Sequence, residues 1–171
     1  MSTCDGSHDR HQSITDERPA TGRTEVTTEV VITPGAHAVI LAACQGAHPA
    51  EVCGLVGTRH GILDSAYPVP NVAEATPGRC GFLMDSQGQF RAMCDLKDAG
   101  HELGAIYHSH PHTPAIPSEA DIALAAYPEA VHLVVGLREV ATPDVRVWRI
   151  ADGRSEELML RIASELPDAA G

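Results

Sequence analysis

Three histidines stand at alternate positions, His108, His110 and His112, in the stretch YHSHPHTPAIPSEAD (Tyr107 to Asp121), with Ser118 and two acids close behind. Imidazole nitrogens are ligands for zinc, copper or iron, so a metal reaction is the first chemistry to weigh. On a strand, residues two apart share a face, so His108 and His110 present two imidazoles side by side while Ser109 turns away. His112 keeps the parity, but Pro111 and Pro114 end the strand near it and leave its direction open. A third ligand has to come from elsewhere, and Asp121 is the candidate. SEAD has the S-x-x-D form of a capping box, with Ser118 starting a helix and Asp121 on its first turn. A short loop would return that carboxylate to the end of the histidine strand. A lone His-x-His pair or a lone S-x-x-D is common by chance. Together they form H-x-H-x7-S-x2-D, the order and spacing of a compact His2Asp centre.

Three protein ligands leave one position open, the mark of a catalytic rather than a structural zinc site. Zinc takes the pKa of water from about 15.7 to about 7, which at about 1.36 kcal/mol per unit eases deprotonation by roughly 12 kcal/mol. A base must then accept the proton. Glu51, in HPAEVCGLVG, lies between an amphipathic segment and an apolar strand. It is a candidate base if that strand runs beside the histidine strand; taken alone it reads as an exposed acid at a helix end. His112 reads as a solvated loop residue, and Cys53 as a small buried one rather than a reactive thiol.

The pattern E-V-C-G-L-V-G followed by H-S-H-P…P-S-E-A-D resembles the JAMM/MPN+ zinc metallopeptidases over roughly residues 33 to 150, including VPN before a long loop and FLMD before a helix. The resemblance implies an α+β fold with a mixed sheet, zinc on His108, His110 and Asp121, and Glu51 as the base. It also implies Ser118 as the donor to the tetrahedral oxyanion. Members of the family act on bonds to the C-terminal carbonyl of ubiquitin-like proteins, whose extended tail lies in a groove beside the zinc. YHSHPHTPAIPSEAD is similar to the compact bacterial branch, and especially to actinobacterial enzymes that free L-cysteine from a ubiquitin-like sulfur-carrier protein. A departure is Glu119-Ala120, where many relatives have Thr before the Asp; neither position is a ligand. Other isopeptidase substrates, a non-haem iron centre on the same ligands, and a non-catalytic scaffold are the competing readings. The iron reading leaves Glu51 and Ser118 unused, and a scaffold would typically lack a ligand.

The rest of the chain must position these groups. With 171 residues, 43% of them apolar, there is enough for a single core. A net charge of −11 and one Lys among twelve basic residues disfavour a nucleic-acid partner. No apolar run reaches the length of a membrane span. Five cysteines without a C-x-x-C pair, and no apolar leader at the start, predict a reduced, cytoplasmic protein. Residues 1–25 read as a disordered tail with Cys4, His8 and His11 incidental, 26–165 as the metallopeptidase domain, and 166–171 as a short tail.

VTTEVVIT predicts a strand, and PGAHAVILAACQGAH a helix opened by Pro34 with Ala36, Val39, Ile40 and Ala43 inward. VCGLVGT and GILDSAYPVPN predict a hairpin turning at His60-Gly61, and VAEATPGRC a loop. GFLM predicts a short strand, and Asp85 or Ser86 a cap for a helix to about Ala99 with Phe90, Met93 and Cys94 inward. ELGAIYHSH is the histidine strand, Ser118 to Tyr127 a short helix, and AVHLVVGL a central buried strand. DVRVWRIAD and ELMLRIA complete the strands, with a helix as the alternative for the last.

Overall fold

The computed structural model describes residues 29–73 and 81–163. The expected tails, with Cys4, His8 and His11, and most of the VAEATPGRC loop lie outside these residues. Seven strands and three helices follow in the order β1 (Glu29–Ile32), α1 (Pro34–Ala47), β2 (Cys53–Arg59), β3 (Ile62–Val69), α2 (Ser86–Asp98), β4 (Glu102–His110), α3 (Glu119–Ala123), β5 (Val131–Gly136), β6 (Asp144–Ala151) and β7 (Arg154–Ile162). The sheet is mixed, as expected, and it also closes on itself in the order β1-β3-β2-β4-β5-β6-β7. Closure comes from β1, which pairs parallel with both β3 and β7. The β2–β3 hairpin turns on His60 and Gly61, both at positive φ (51° and 77°), as a tight primed turn requires.

Both faces of the sheet are covered, which is why its central strands read as continuous apolar runs. On one face, Ile40 and Cys44 of α1 pack with Val56, Ala105, Tyr107, Leu133, Val135 and Val147. The other face holds Leu55, Ile106 and Val69 under Ala92 of α2. Val134, Trp148 and Ile150 lie there too, with Ala115 and the partly buried Ile122 of α3. Along β4 the alternation sends Ala105, Tyr107 and Ser109 towards α1 and Ile106, His108 and His110 towards α2 and α3.

The structure corrects several details. In α1 the buried stripe is Ala36, Ile40 and Cys44, and Val39 is 45% exposed. Asp85 caps α2 through Gly88 N–H (2.7 Å), but its buried residues are Ala92 and Leu96, while Phe90 is 68% exposed and Cys94 is exposed. The reason is close approach: a Cβ at Gly88 would come within 2.9 Å of Pro70, so the small residues face β3 and Phe90 is turned outwards. GFLM forms only an isolated bridge, Asn71 to Met84, because the Asn71 carboxamide oxygen takes the Leu83 and Ala73 N–H groups itself, each at 2.9 Å. The third helix stops at Ala123 rather than Tyr127. Tyr127 precedes Pro128, and the residue before a proline is pushed out of helical backbone.

The loop between β4 and α3 is anchored onto the sheet. Trp148 Nε1 donates to the Ala115 carbonyl at 3.0 Å, and Leu137 N–H to the His110 carbonyl at 3.0 Å. Gly136 permits the approach, since a Cβ there would stand 2.8 Å from Ala115 N. Replacing Trp148 by Phe leaves the buried Ala115 carbonyl without its donor. Trp148→Phe is expected to cost about 1–3 kcal/mol in chemical denaturation and to weaken metal binding, because the loop it holds leads into α3 and Asp121, the candidate third ligand.

Candidate metal centre and catalytic groups

His108 and His110 leave the same face of β4, and their Nε2 atoms are 3.0 Å apart. Asp121, on the first turn of α3, places Oδ2 3.4 Å from each of them. These three groups form the one metal-competent cluster found among the described residues, and all three are buried. For zinc–nitrogen bonds of about 2.0–2.1 Å, the ligand–ligand edge of a tetrahedral site is about 3.3–3.4 Å. The observed triangle therefore fits a single ion, and two imidazoles with a carboxylate are a suitable donor set for it.

The surroundings orient the ligands. His110 Nδ1 lies 2.9 Å from the Pro114 carbonyl; donating its proton there leaves Nε2 as a lone pair for the ion. Phe82 stacks on His108 at a ring separation of 4.5 Å. The capping box is complete: Asp121 N–H donates to Ser118 Oγ (3.2 Å), and Ser118 N–H and Oγ–H both donate to Asp121 Oδ2 (2.7 Å each). One short helix start thus both terminates its own backbone and aims the carboxylate.

Electrostatics follow from burial and proximity. Burial pushes His108 below its ordinary value, with only partial relief from Asp121. At His110 burial acts in the same direction, but Asp121, the Pro114 carbonyl and Glu51 outweigh it and hold the ring above its usual value. Burial would raise Asp121, yet the two imidazoles and the Ser118 hydroxyl keep it well below the carboxylate range. The charge on Glu51 is therefore felt at His110. The register supplies the reason: β2 runs antiparallel to β4 with Cys53 opposite His108. The residue between Glu51 and Cys53 is clamped by Ser109, whose N–H donates to the Val52 carbonyl and whose Oγ accepts from Val52 N–H, both at 3.0 Å. The Glu51 carbonyl in turn accepts from Asn71 Nδ2 at 3.0 Å.

Of the remaining sequence candidates, His112 is exposed, with its ring edge-on to His48 at 5.9 Å, and is not part of the metal triangle. Cys53 is buried, and burial followed by the nearby Glu51 pushes its thiol up to about 12, so it stays protonated and packs. Three residues were overlooked. Ser109 and Asn71 position the Glu51 backbone, and periodicity carries no sign of either. His132 on β5 is 3% exposed, and neither ring nitrogen has a hydrogen-bond partner among the described residues. A histidine inside the apolar run AVHLVVGL was the available signal.

A scan of family models matches residues 33–151 to the prokaryotic homologs of the JAB domain. The chain is 31% identical over 119 residues to the CysO-cysteine peptidase of Mycobacterium tuberculosis, covering 69% of this chain and 80% of that one. It is also 31% identical over 112 residues to the probable TtuB-protein conjugate cleaving protease of Thermus thermophilus, covering 66% and 70%. A solved structure from Desulfitobacterium hafniense superposes with a TM-score of 0.69 at 30% identity, over 80% of this chain and 94% of that one. The fold and its buried His2Asp cluster are those of a JAMM-class hydrolase. The chain belongs to the prokaryotic JAB-domain branch of the JAMM/MPN family.

Ser109→Ala removes the acceptor for Val52 N–H and leaves a backbone donor unpaired. It is expected to cost about 1–3 kcal/mol by thermal unfolding and to lower turnover while both histidine ligands remain. A second expectation concerns pH. Burial, then the neighbouring His108, lowers His132 from 6.5 to about 4, so between these values the unfolded chain binds the extra proton. Stability of metal-free protein should fall as pH drops from about 6.5 to about 4, by on the order of 3 kcal/mol from this group. His108, also lowered by burial, acts in the same direction in this window, whereas Asp121 acts below the ordinary carboxylate value. His132→Leu should flatten the slope, measured as the midpoint of urea unfolding against pH.

Proposed function

We propose that this chain is a zinc hydrolase that cleaves the amide at the C-terminal glycine of a ubiquitin-like sulfur-carrier protein and releases L-cysteine. The observation that carries the reading is the buried triangle of Asp121 on α3 with His108 and His110 on β4, a strand whose neighbour leads in from Glu51. The names of the mycobacterial and Thermus relatives, a CysO-cysteine peptidase and a probable TtuB-protein conjugate cleaving protease, support a substrate in which one protein is joined to cysteine or to a second protein. The Thermus name also favours a second, broader reading, hydrolysis of carrier–protein conjugates. Free Cys44, Cys53 and Cys94 suit a reduced, cytoplasmic setting, and no described helix is long and apolar enough to cross a membrane.

His108, His110 and Asp121 would hold the ion. Zinc, when bound, supplies Lewis acidity to the attacking water and the scissile carbonyl. Glu51 takes the proton of the water on its carboxylate and returns it to the departing amine nitrogen. The new C–O bond forms at the glycine carbonyl, the C–N bond breaks, and the products are a carrier carboxylate and the amine of cysteine. Ser118 donates to the developing oxyanion, which requires its hydroxyl to swing from Asp121 Oδ2 towards the substrate. The buried, capped setting of Asp121 keeps it ionised for the metal throughout.

Elemental analysis of purified protein is expected to find about one zinc per chain, lost in Asp121→Ala because two imidazoles alone make a poor site. Iron in place of zinc would favour an oxygenase on the same ligands, and no metal after zinc is offered would overturn the reading. Glu51→Gln should retain zinc and fold yet lose about 10²–10⁴-fold in rate on a carrier–cysteine adduct followed by mass spectrometry. A fully active Glu51→Gln would remove Glu51 from its role.

A further inference from the structure

Beside the metal triangle, and sharing Asp121 with it, lies a cavity of about 400 Å³, within the usual range for a ligand site. Phe82, Leu83, Met84, Ile106 and Leu124 make its walls largely apolar, and His132 contributes to its lining. Gln89 and Tyr127, which also line it, hydrogen-bond each other at 3.1 Å. His132 does not share that arrangement. It is 3% exposed, and both its nitrogens are without partners among the described residues. It sits opposite Ile106 in the β4–β5 ladder and so faces the same side as His108 and His110.

A buried polar group left unpaired is costly, and one that persists in a cavity wall is explained by a ligand that pairs with it. A neutral imidazole offers one donor and one acceptor, which matches the C=O and N–H of a peptide chain. Among the described residues the lining contains no Lys or Arg, and Asp121 stands at the cavity's metal side. In a carrier–cysteine adduct every peptide group other than the scissile one lies on the acyl side, along an extended tail. Its apolar or small side chains suit the walls, and its backbone groups, stripped of water, need hydrogen-bond partners of the kind the unpaired His132 ring offers.

We propose that His132 is a substrate-recognising residue, and that its imidazole hydrogen-bonds a peptide group of the uncharged C-terminal tail on the acyl side of the scissile amide. This rests on the carrier reading above, and the test separates the two. The probe is a ten-residue peptide ending in glycine that is amide-linked to cysteine, titrated calorimetrically into zinc-loaded Glu51→Gln protein so that it is not cleaved.

Binding to Glu51→Gln is expected, about tenfold weaker when His132→Leu is added and partly restored by His132→Gln, which keeps a donor and an acceptor. In the Glu51-intact chain, His132→Leu should raise KM with a smaller change in kcat, as loss of uniform binding does. Equal affinity with and without His132→Leu overturns the assignment to His132 and leaves the carrier reading standing. No binding by Glu51→Gln itself overturns the carrier reading and this proposal with it. The imidazole ¹⁵N resonances of His132 in the Glu51→Gln protein give a readout independent of any change at His132. They should shift on saturation with peptide, and unchanged resonances in the saturated protein also overturn the assignment.

Discussion

The site depends on a pair of hydrogen bonds that contain no catalytic group. Ser109 stands between two candidate ligands and binds both the N–H and the C=O of Val52. Strand parity sends His108 and His110 to one face of β4 and Ser109 to the other. The same residue that separates the ligands therefore has its side chain free, on the opposite face, to dock the lead-in to β2. Glu51 is carried into the neighbourhood of His110 by that docking of the backbone beside it. A one-residue slip between β2 and β4 would turn Val52 where Cys53 is and move Glu51 off the site. Asn71 secures the same backbone from the other direction by donating to the Glu51 carbonyl.

Burial then decides what the cluster can be. His108, His110 and Asp121 are buried, and the β4–α3 loop that connects them is held down by Trp148 and the close approach at Gly136. In such a place a carboxylate is costly unless it is paired and hydrogen-bonded. Ser118 provides two hydrogen bonds and the imidazoles provide the electrostatic partner. The capping box does two tasks with one set of atoms: it caps the start of the helix and it aims the candidate ligand. A five-residue helix suffices because its purpose is the geometry of its first turn and not its length.

Covering both faces of the sheet has a further consequence. His132 is forced into an otherwise apolar wall, where burial keeps it neutral and its nitrogens lack protein partners. A polar group in that position weakens folding at acidic pH. Such local cost is common where a surface is shaped for a ligand rather than for stability. The adjoining cavity, continuous with Asp121, gives that cost a use.

The amino-acid order alone determined the parts that depend on local geometry. Alternation along ELGAIYHSH places the two histidines together, S-x-x-D announces the cap at Ser118, and Pro34 and Asp85 mark helix starts. The β2–β3 turn at His60-Gly61 is local in the same way. Properties set by distant neighbours were not legible. That Phe90 points outwards depends on how closely Gly88 passes Pro70, and that GFLM is no strand depends on Asn71 taking its hydrogen bonds. Closure of the sheet by β1 joins residues more than a hundred positions apart. Whether Glu51 came near the histidines or stayed a distant surface acid hung on the register of β2 against β4, and the isolation of His132 on what α2 and α3 cover. Spacing along the chain specifies which side chains share a strand face or a helix turn; only packing between elements decides which of those faces meet, how dry they become and what is left without a partner.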